Sequence, residues 1–279
     1  MKIISSPKEM KEFSASMKAE GKKIALVPTM GALHNGHLSL IDIARQNADI
    51  VVVSIFVNPT QFGPNEDYDK YPRQLQADAE KCEEHNADVI FAPTPDEIYL
   101  KDASTFVNEE QISQHLCGKS RPKHFRGVTT VVTILFNIVK PDVAVFGEKD
   151  AQQVSIIERM VRDLFMDVQI IRAPIIREES GLALSSRNKY MTKMEQDGAT
   201  RIRKALLAGK ELVDTGVTNL DRIKALVIHK VTDAKTRVIY VEVVDAKTSL
   251  PISELNIGKS RISIAVWYGE TRLIDNIII

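Results

Sequence analysis

The segment Pro28-Thr-Met-Gly-Ala-Leu-His-Asn-Gly-His37 sets two imidazoles three residues apart, with a glycine between them. It lies where a short apolar run, Ile24 to Pro28, hands over to an amphipathic stretch, Leu38 to Asn47, whose Leu38, Ile41 and Ala44 share one helical face. A helix entrance offers unpaired N–H groups and the positive end of a dipole, both of which favour an anion. Gly31 and Gly36 are expected to take positive φ and to let backbone come close to a ligand. His34 and His37 can then donate to phosphate oxygens as negative charge builds in a transition state. The plainer alternative is that the two rings only cap a helix. The His-x-Gly-His spacing, between a buried strand and an amphipathic helix, favours the phosphate reading.

Three further segments bear chemistry. Phe56-Val-Asn-Pro-Thr-Gln-Phe-Gly63 follows a β-branched run and carries Asn58 and Gln61, uncharged groups that can hold a substrate hydroxyl and a carboxylate oxygen together. A polar Asn-Pro turn is the alternative there. In Phe146-Gly-Glu-Lys-Asp-Ala-Gln-Gln153, Gly147 permits a turn, Lys149 is a mobile cation suited to phosphate, Asp150 can bond a ribose hydroxyl, and Gln153 falls on a first helical turn; taken alone, the segment reads equally as a helix start with an acidic cap. Leu184-Ser-Ser-Arg-Asn188 offers two hydroxyls and a fixed guanidinium that suit a triphosphate, though taken alone it reads as an ordinary solvated loop. The basic run Lys119 to Arg126 reads equally as a second cover over phosphates or as a solvated loop. The Gly-Lys-Ser triplets at Gly118 and Gly258 have Ser113 and Ser253 where a P-loop needs glycine, and no Gly-x-Gly-x-x-Gly occurs, which counts against a Walker-type kinase and a nicotinamide dehydrogenase.

These segments need strands to end on and helices to open. Apolar runs at Ile24–Pro28, Ile50–Val57, Asp88–Ala92, Asp142–Phe146 and Val168–Ala173 read as strands, with helices at Leu38–Asn47, Leu75–His85, Thr129–Val139 and Ala151–Phe165. Strand-helix-strand alternation predicts an α/β fold with a doubly wound, Rossmann-like parallel sheet whose ligands sit at the carboxyl strand ends. After Arg177 the order changes to helices at Met191–Thr215 and Leu220–Lys235, then alternating strands at Val238–Val244, Arg261–Tyr268 and Arg272–Ile279. That divides the chain into residues 1–175, a nucleotide- and acid-binding domain, and 176–279, a smaller α+β lid domain.

The 279 residues balance 37 Lys+Arg against 37 Asp+Glu, which argues against nucleic acid or an anionic membrane as a main partner. Two separated cysteines, Cys82 and Cys117, fit neither a four-Cys zinc site nor a disulfide scaffold. No apolar leader follows Met1, and the most apolar stretch, Val128 to Val139, is too short to cross a bilayer, so a cytoplasmic location is expected.

The His-x-Gly-His signature resembles the adenylyl-transfer superfamily of nucleotidylyltransferases and class I aminoacyl-tRNA synthetases. The whole set, PTMGALHNGH at Pro28, FVNPTQFGPNEDYDKYPR at Phe56, HFRGVTTVV at His124, FGEKDAQQ at Phe146 and REESGLALSSRN at Arg177, resembles the pantothenate synthetases in order and spacing. Lys123 departs from a position where a small residue is common, and Leu184 from one where Met is usual. The resemblance implies an ATP-dependent ligase that condenses (R)-pantoate with β-alanine through a pantoyl adenylate, releasing pyrophosphate and AMP. It implies an ATP site of Met30, Gly31, Ala32, Leu33, His34, Asn35, Gly36, His37, Gly147, Glu148, Lys149, Asp150, Ile176, Leu184, Ser185, Ser186 and Arg187. His37, His34, Lys149 and Arg187 would act in catalysis, with Gln61, Gln153 and Asn58 holding the acid. Mg²⁺ would arrive with ATP, there being no readable protein cage, and a homodimer is implied. A nucleotidylyltransferase or a non-catalytic nucleotide-binding module are the rival readings; a tRNA synthetase is disfavoured by the zero charge.

Overall fold

The computed structural model describes residues 1–64 and 66–279. Asn65, inside the Phe56 motif, lies outside the described residues. In chain order the elements are β1 (Lys2–Ile4), α1 (Pro7–Ala19), β2 (Ile24–Thr29), α2 (Asn35–Asn47), β3 (Ile50–Ile55), α3 (Leu75–Glu84), β4 (Val89–Phe91), α4 (Pro95–Ile98), α5 (Leu116–Ser120), α6 (His124–Val139), β5 (Val143–Gly147), α7 (Ala151–Asp163) and β6 (Gln169–Ala173). They continue with α8 (Lys193–Ala199), α9 (Arg201–Asp214), α10 (Leu220–Val231), β7 (Thr236–Asp245), β8 (Ser260–Tyr268) and β9 (Thr271–Ile278). Packing groups residues 1–109, 121–148 and 156–174 into one unit and 110–120, 149–155 and 175–279 into another.

The first unit is a parallel sheet in the order β1-β4-β3-β2-β5-β6. Its inner strands are apolar runs, β3 almost wholly β-branched, and are largely buried, as a covered parallel sheet requires. One face packs Ala25, Val27, Val51 and Val53 against Leu38, Ile41 and Ala44, the helical stripe read from the sequence. From β2 the chain moves outward through β3 and β4, then returns to β2's other side with β5, so the order reverses at β2. There β2 pairs with β3 as far as Thr29 but with β5 only at Ala25 and Leu26. Pro28 therefore lies beyond the end of the β2–β5 ladder, and the chain passes through it to Thr29 instead of stopping as the sequence suggested. Such a reversal point, at carboxyl strand ends, is where doubly wound sheets take ligands.

The structure extends the expectation of five strands to six. The extra strand, β1, is three residues long and finds its partner in β4 at the sheet edge, too short to show any periodicity. Helix α6 begins at His124, five residues before the apolar run that marked it, because Lys123 takes a left-handed turn (φ 74°) that launches the helix. The helix expected over Met191–Thr215 is two, α8 and α9, since the Thr200 hydroxyl folds back onto the Asp197 carbonyl at 2.7 Å and closes the first.

The second unit layers α9 and α10 on the antiparallel sheet β7-β8-β9. Ile202, Leu206, Ile223 and Val227 from the helices meet Ile262 and Ile264 from the middle strand. Gly209 lets the three elements close: a Cβ there would stand 2.6 Å from Val227 Cγ2 and 2.8 Å from Ile262 Cδ1. Alanine is the better helix former by about 1 kcal/mol, but overpacking of this kind costs about 1–3 kcal/mol. Gly209→Ala is thus expected to lower the denaturant midpoint; a raised midpoint would show that the helices do not pack this closely.

Candidate active site

The His-x-Gly-His loop starts where β2 ends. Thr29 Oγ1 donates to the Ser54 carbonyl at 2.8 Å and accepts from Gly31 N–H at 3.1 Å. Gly31 (φ 81°) and Ala32 (φ 51°) then turn left-handed in succession. This strains a residue with a Cβ by about 1–2 kcal/mol. A carboxylate holds them there. Asp78 on α3 is fully buried and accepts from Ala32 N–H and Leu33 N–H at 2.8 Å each, with Gln74 Nε2 adding a third bond at 3.2 Å. Lys81, one turn further along, donates to the Leu33 carbonyl at 2.7 Å. Burial, and then the charge of Asp78, push the nearby Cys82 thiol up to about 12, so it stays protonated.

From Asn35 the chain is helical. Gly36 therefore does not take the positive φ expected of it; only Gly31 does, joined by Ala32. His34 is the N-cap of α2 and His37 its third residue. Gly36 N–H donates to His34 Nδ1 at 3.1 Å, and His34 N–H to His37 Nδ1 at 3.4 Å. The rings lie 4.0 Å apart, centre to centre. The capping alternative is thus present in the structure. With Nδ1 of each ring accepting, the neutral imidazoles carry their hydrogens on Nε2, the donor that anion binding needs.

Asn58 and Gln61 stand on the turn after β3 and meet this loop. Thr60 N–H and Thr60 Oγ1 reach Asn58 Oδ1 at 3.3 and 2.9 Å, and Tyr99 O–H donates to the same oxygen at 2.7 Å. Burial raises the Tyr99 hydroxyl against a smaller opposing effect of its Thr60 bond, so it remains a donor. An amide oxygen fixed in that way leaves Asn58 Nδ2 to donate to the Gly127 carbonyl at 3.1 Å and to Gln61 Oε1 at 3.0 Å. Gln61 in turn aims its N–H groups at Met30 Sδ, 3.1 Å away. A thioether is a weak acceptor that a carboxylate oxygen outcompetes. Asn58 is 1% exposed, with both ends of its amide engaged inside the protein. Helix α6 presses on this turn at Gly127, where a Cβ would fall 2.5 Å from the Thr60 carbonyl. Gly147 ends β5, and Glu148 beside it pairs with Arg172 at 3.0 Å.

The other expected residues belong to the second unit. Lys149 Nζ lies 3.1 Å from Asp150 Oδ2, both ahead of α7, and the Lys149 carbonyl accepts from Asn276 Nδ2 at 3.3 Å. Gln153 is half-buried on α7, while its neighbour Gln152 is buried and tied to Cys117 N–H and the Ile112 and His115 carbonyls. Leu184 N–H donates to the Ile176 carbonyl at 3.1 Å, and Ser185 Oγ caps the turn that carries Ser186 and Arg187. Arg177 fastens this hairpin to β9 through a two-bond pair with buried Asp275, at 2.7 and 2.8 Å. Within the first unit the structure brings together Met30, Asn58 and Gln61 and sets His34 against His37; within the second it brings together Ile176, Leu184, Ser185, Ser186 and Arg187. Asp78 and Lys81 escaped the sequence reading. An acid sharing a helical face with Ala79 and Cys82 was the available sign of a buried partner. Among the described residues no group of three or more His, Cys, Asp or Glu could hold a metal ion.

A family profile described as pantoate-beta-alanine ligase matches residues 2–278. Pantothenate synthetases of Acetivibrio thermocellus and Clostridium acetobutylicum are 51% and 52% identical, the first over 100% of this chain and 99% of its own length, the second over 99% and 98%. The crystal structure of pantothenate synthetase from Thermus thermophilus superposes with a TM-score of 0.93 at 40% identity, covering 100% of this chain and 99% of the other. The Francisella tularensis ligase, complexed with beta-gamma ATP and beta-alanine, gives 0.83 at 38% identity, with 100% and 97% covered.

Asp78→Asn sets an amide NH₂ against a backbone N–H, and the expected loss is about 1–3 kcal/mol of stability, with turnover falling as the loop loosens. Denaturation and initial rates on one preparation check it; an unchanged protein would mean that the loop holds itself. His37→Asn keeps an acceptor near the Nδ1 position but removes Nε2. It is expected to fold normally and to lose about two orders of magnitude or more in turnover. A full rate would leave His37 as a cap alone.

Proposed function

The chain belongs to the pantoate–β-alanine ligase family, ATP-dependent ligases that make pantothenate, and on that footing we propose how its residues divide the reaction. The carboxylate of (R)-pantoate attacks the α-phosphorus of ATP, pyrophosphate leaves, and the enzyme holds pantoyl adenylate. The amine of β-alanine then attacks the acyl carbon, loses a proton, and expels AMP. His37 and His34, with Nε2–H set by their Nδ1 caps, donate to the phosphates as negative charge grows on them. The Met30–His37 backbone, Gly147, Glu148 and Asp150 embrace the nucleotide, along with Ile176, Leu184, Ser185 and Ser186. Lys149 and Arg187 neutralise the departing pyrophosphate. Mg²⁺ enters as part of the substrate and screens phosphate charge. Gln61 and Gln153 hold pantoate, and the structure's internal bonds to Asn58 give it the task of orienting Gln61.

The observation that carries this reading is the forced direction of the Gln61 amide, whose N–H is aimed at Met30 of the His-x-Gly-His loop. An uncharged donor suits a hydroxy acid, whereas a nucleotidylyltransferase must bind a phosphate acceptor and calls for a cation there. No helix among the described residues is long and apolar enough to cross a membrane. The two free, buried cysteines fit a reducing compartment, and cytoplasmic location and a homodimer complete the proposal on family grounds. The test is exchange of labelled pyrophosphate into ATP with β-alanine omitted. Exchange that requires pantoate is expected; production of ADP, or exchange without pantoate, would remove the acyl adenylate.

A further inference from the structure

The basic run Lys119 to Arg126 offered two readings at the outset, a cover over phosphates or a solvated loop; Lys119 and Lys123 are exposed, but Arg121 and His124 are turned inward. Arg121 is only 13% exposed at its side chain, and its guanidinium forms a two-bond fork with Glu66: Nε to Oε1 at 2.7 Å and Nη2 to Oε2 at 2.5 Å. The same Nη2 reaches the Gln61 carbonyl at 3.3 Å, and Nη1 faces His124 Nε2 at 3.0 Å. A guanidinium can only donate, so His124 Nε2 accepts and the ring hydrogen sits on Nδ1. Nδ1 lies 2.9 Å from the Gln61 carbonyl, which thus receives donors from both residues. Burial by itself would raise the Glu66 carboxyl, but the hydrogen bond and charge of Arg121 outweigh it and hold the group below the usual carboxylate range. Glu66 therefore stays ionised to anchor the fork.

A cation spent on a carboxylate in this way is poorly placed to meet phosphate. What it does instead is grip the main chain of Gln61, whose side-chain amide points at Met30. Asn58 fixes that amide from the side-chain end, and Gly127, by its lack of a Cβ, lets α6 rest on the same turn. We propose that Glu66, Arg121 and His124 are positioning residues for the acid substrate: they lock the Gln61 carbonyl and thereby aim its amide, setting affinity for pantoate and leaving ATP affinity untouched. The inference rests on the reading of Gln61 as a pantoate ligand.

Steady-state kinetics on Glu66→Gln, Arg121→Lys, His124→Gln and His124→Asn test it, with Gln61→Ala as a shared background. Thermal unfolding establishes that each variant is folded. Glu66→Gln, Arg121→Lys and His124→Gln are expected to raise KM for pantoate about tenfold, the size of coupling seen between groups in one hydrogen-bond network, with KM for ATP within about twofold. His124→Asn keeps a donor near the Nδ1 position and is expected to restore pantoate KM to within about threefold. In the Gln61→Ala background the Glu66→Gln effect should vanish. Equal rises in both KM values, a rise for ATP alone, no difference between the two His124 variants, or multiplicative effects with Gln61→Ala would overturn the network. If Gln61→Ala itself left pantoate KM unchanged, the assignment of Gln61 would fall, and the network's purpose with it.

Discussion

Two backbone N–H groups, those of Ala32 and Leu33, point into one buried carboxylate, and the geometry of the histidine pair follows from that. Burying Asp78 costs several kcal/mol in lost hydration, and three hydrogen bonds to the charged group, each about 1.5–3 kcal/mol, offset it. The arrangement also settles a conformational problem. Consecutive left-handed residues at Gly31 and Ala32 reverse the chain sharply enough to start α2 three residues later, with His34 at its cap. Without a fixed acceptor, nothing local would keep alanine in that region. Lys81 takes hold of the Leu33 carbonyl, so the turn is held by its donors and its acceptor alike. The dipole of α2, the tautomer of each imidazole and the approach to the end of β2 all depend on this clamp.

The amides obey a similar logic without charge. Thr60 and Tyr99 leave Asn58 one orientation, Asn58 leaves Gln61 one, and the direction in which Gln61 donates is decided by groups that need never touch a substrate. Polar groups nearly sealed from water cannot swap ends without orphaning a partner, which costs about 1–3 kcal/mol for each one lost. Direction is therefore stored in the protein before any ligand arrives. That is the kind of preorganisation from which a site gains discrimination.

Much of this was legible in the residues. The β-branched runs gave the inner strands, the Leu38-Ile41-Ala44 stripe gave α2, and the paired histidines marked the strand-to-helix junction at β2. What escaped notice has physical reasons. A three-residue edge strand has no period to read. The start of α6 was hidden because Lys123 adopts a backbone conformation usually left to glycine. Gly36 looked like a turn residue and is helical, since glycine tolerates either state. Asp78 and the Arg121–Glu66 fork are partnerships across 46 and 55 positions of sequence. A charged residue carries no mark of whether its partner is water or a distant main-chain group; only the closed fold tells the two apart.

The separation between the histidine loop and its carboxylate also constrains how the protein comes into being. A nascent chain that has emerged only as far as Glu66 already contains both imidazoles, yet lacks the acid that shapes their loop and the neighbour that β2 acquires 118 residues downstream in β5. Its histidine loop is thus present in sequence and geometrically unformed. The loop can take its final geometry only once synthesis has passed the sheet's return strand, and splitting the polypeptide between α2 and α3 would strand the rings on one fragment and their tether on the other.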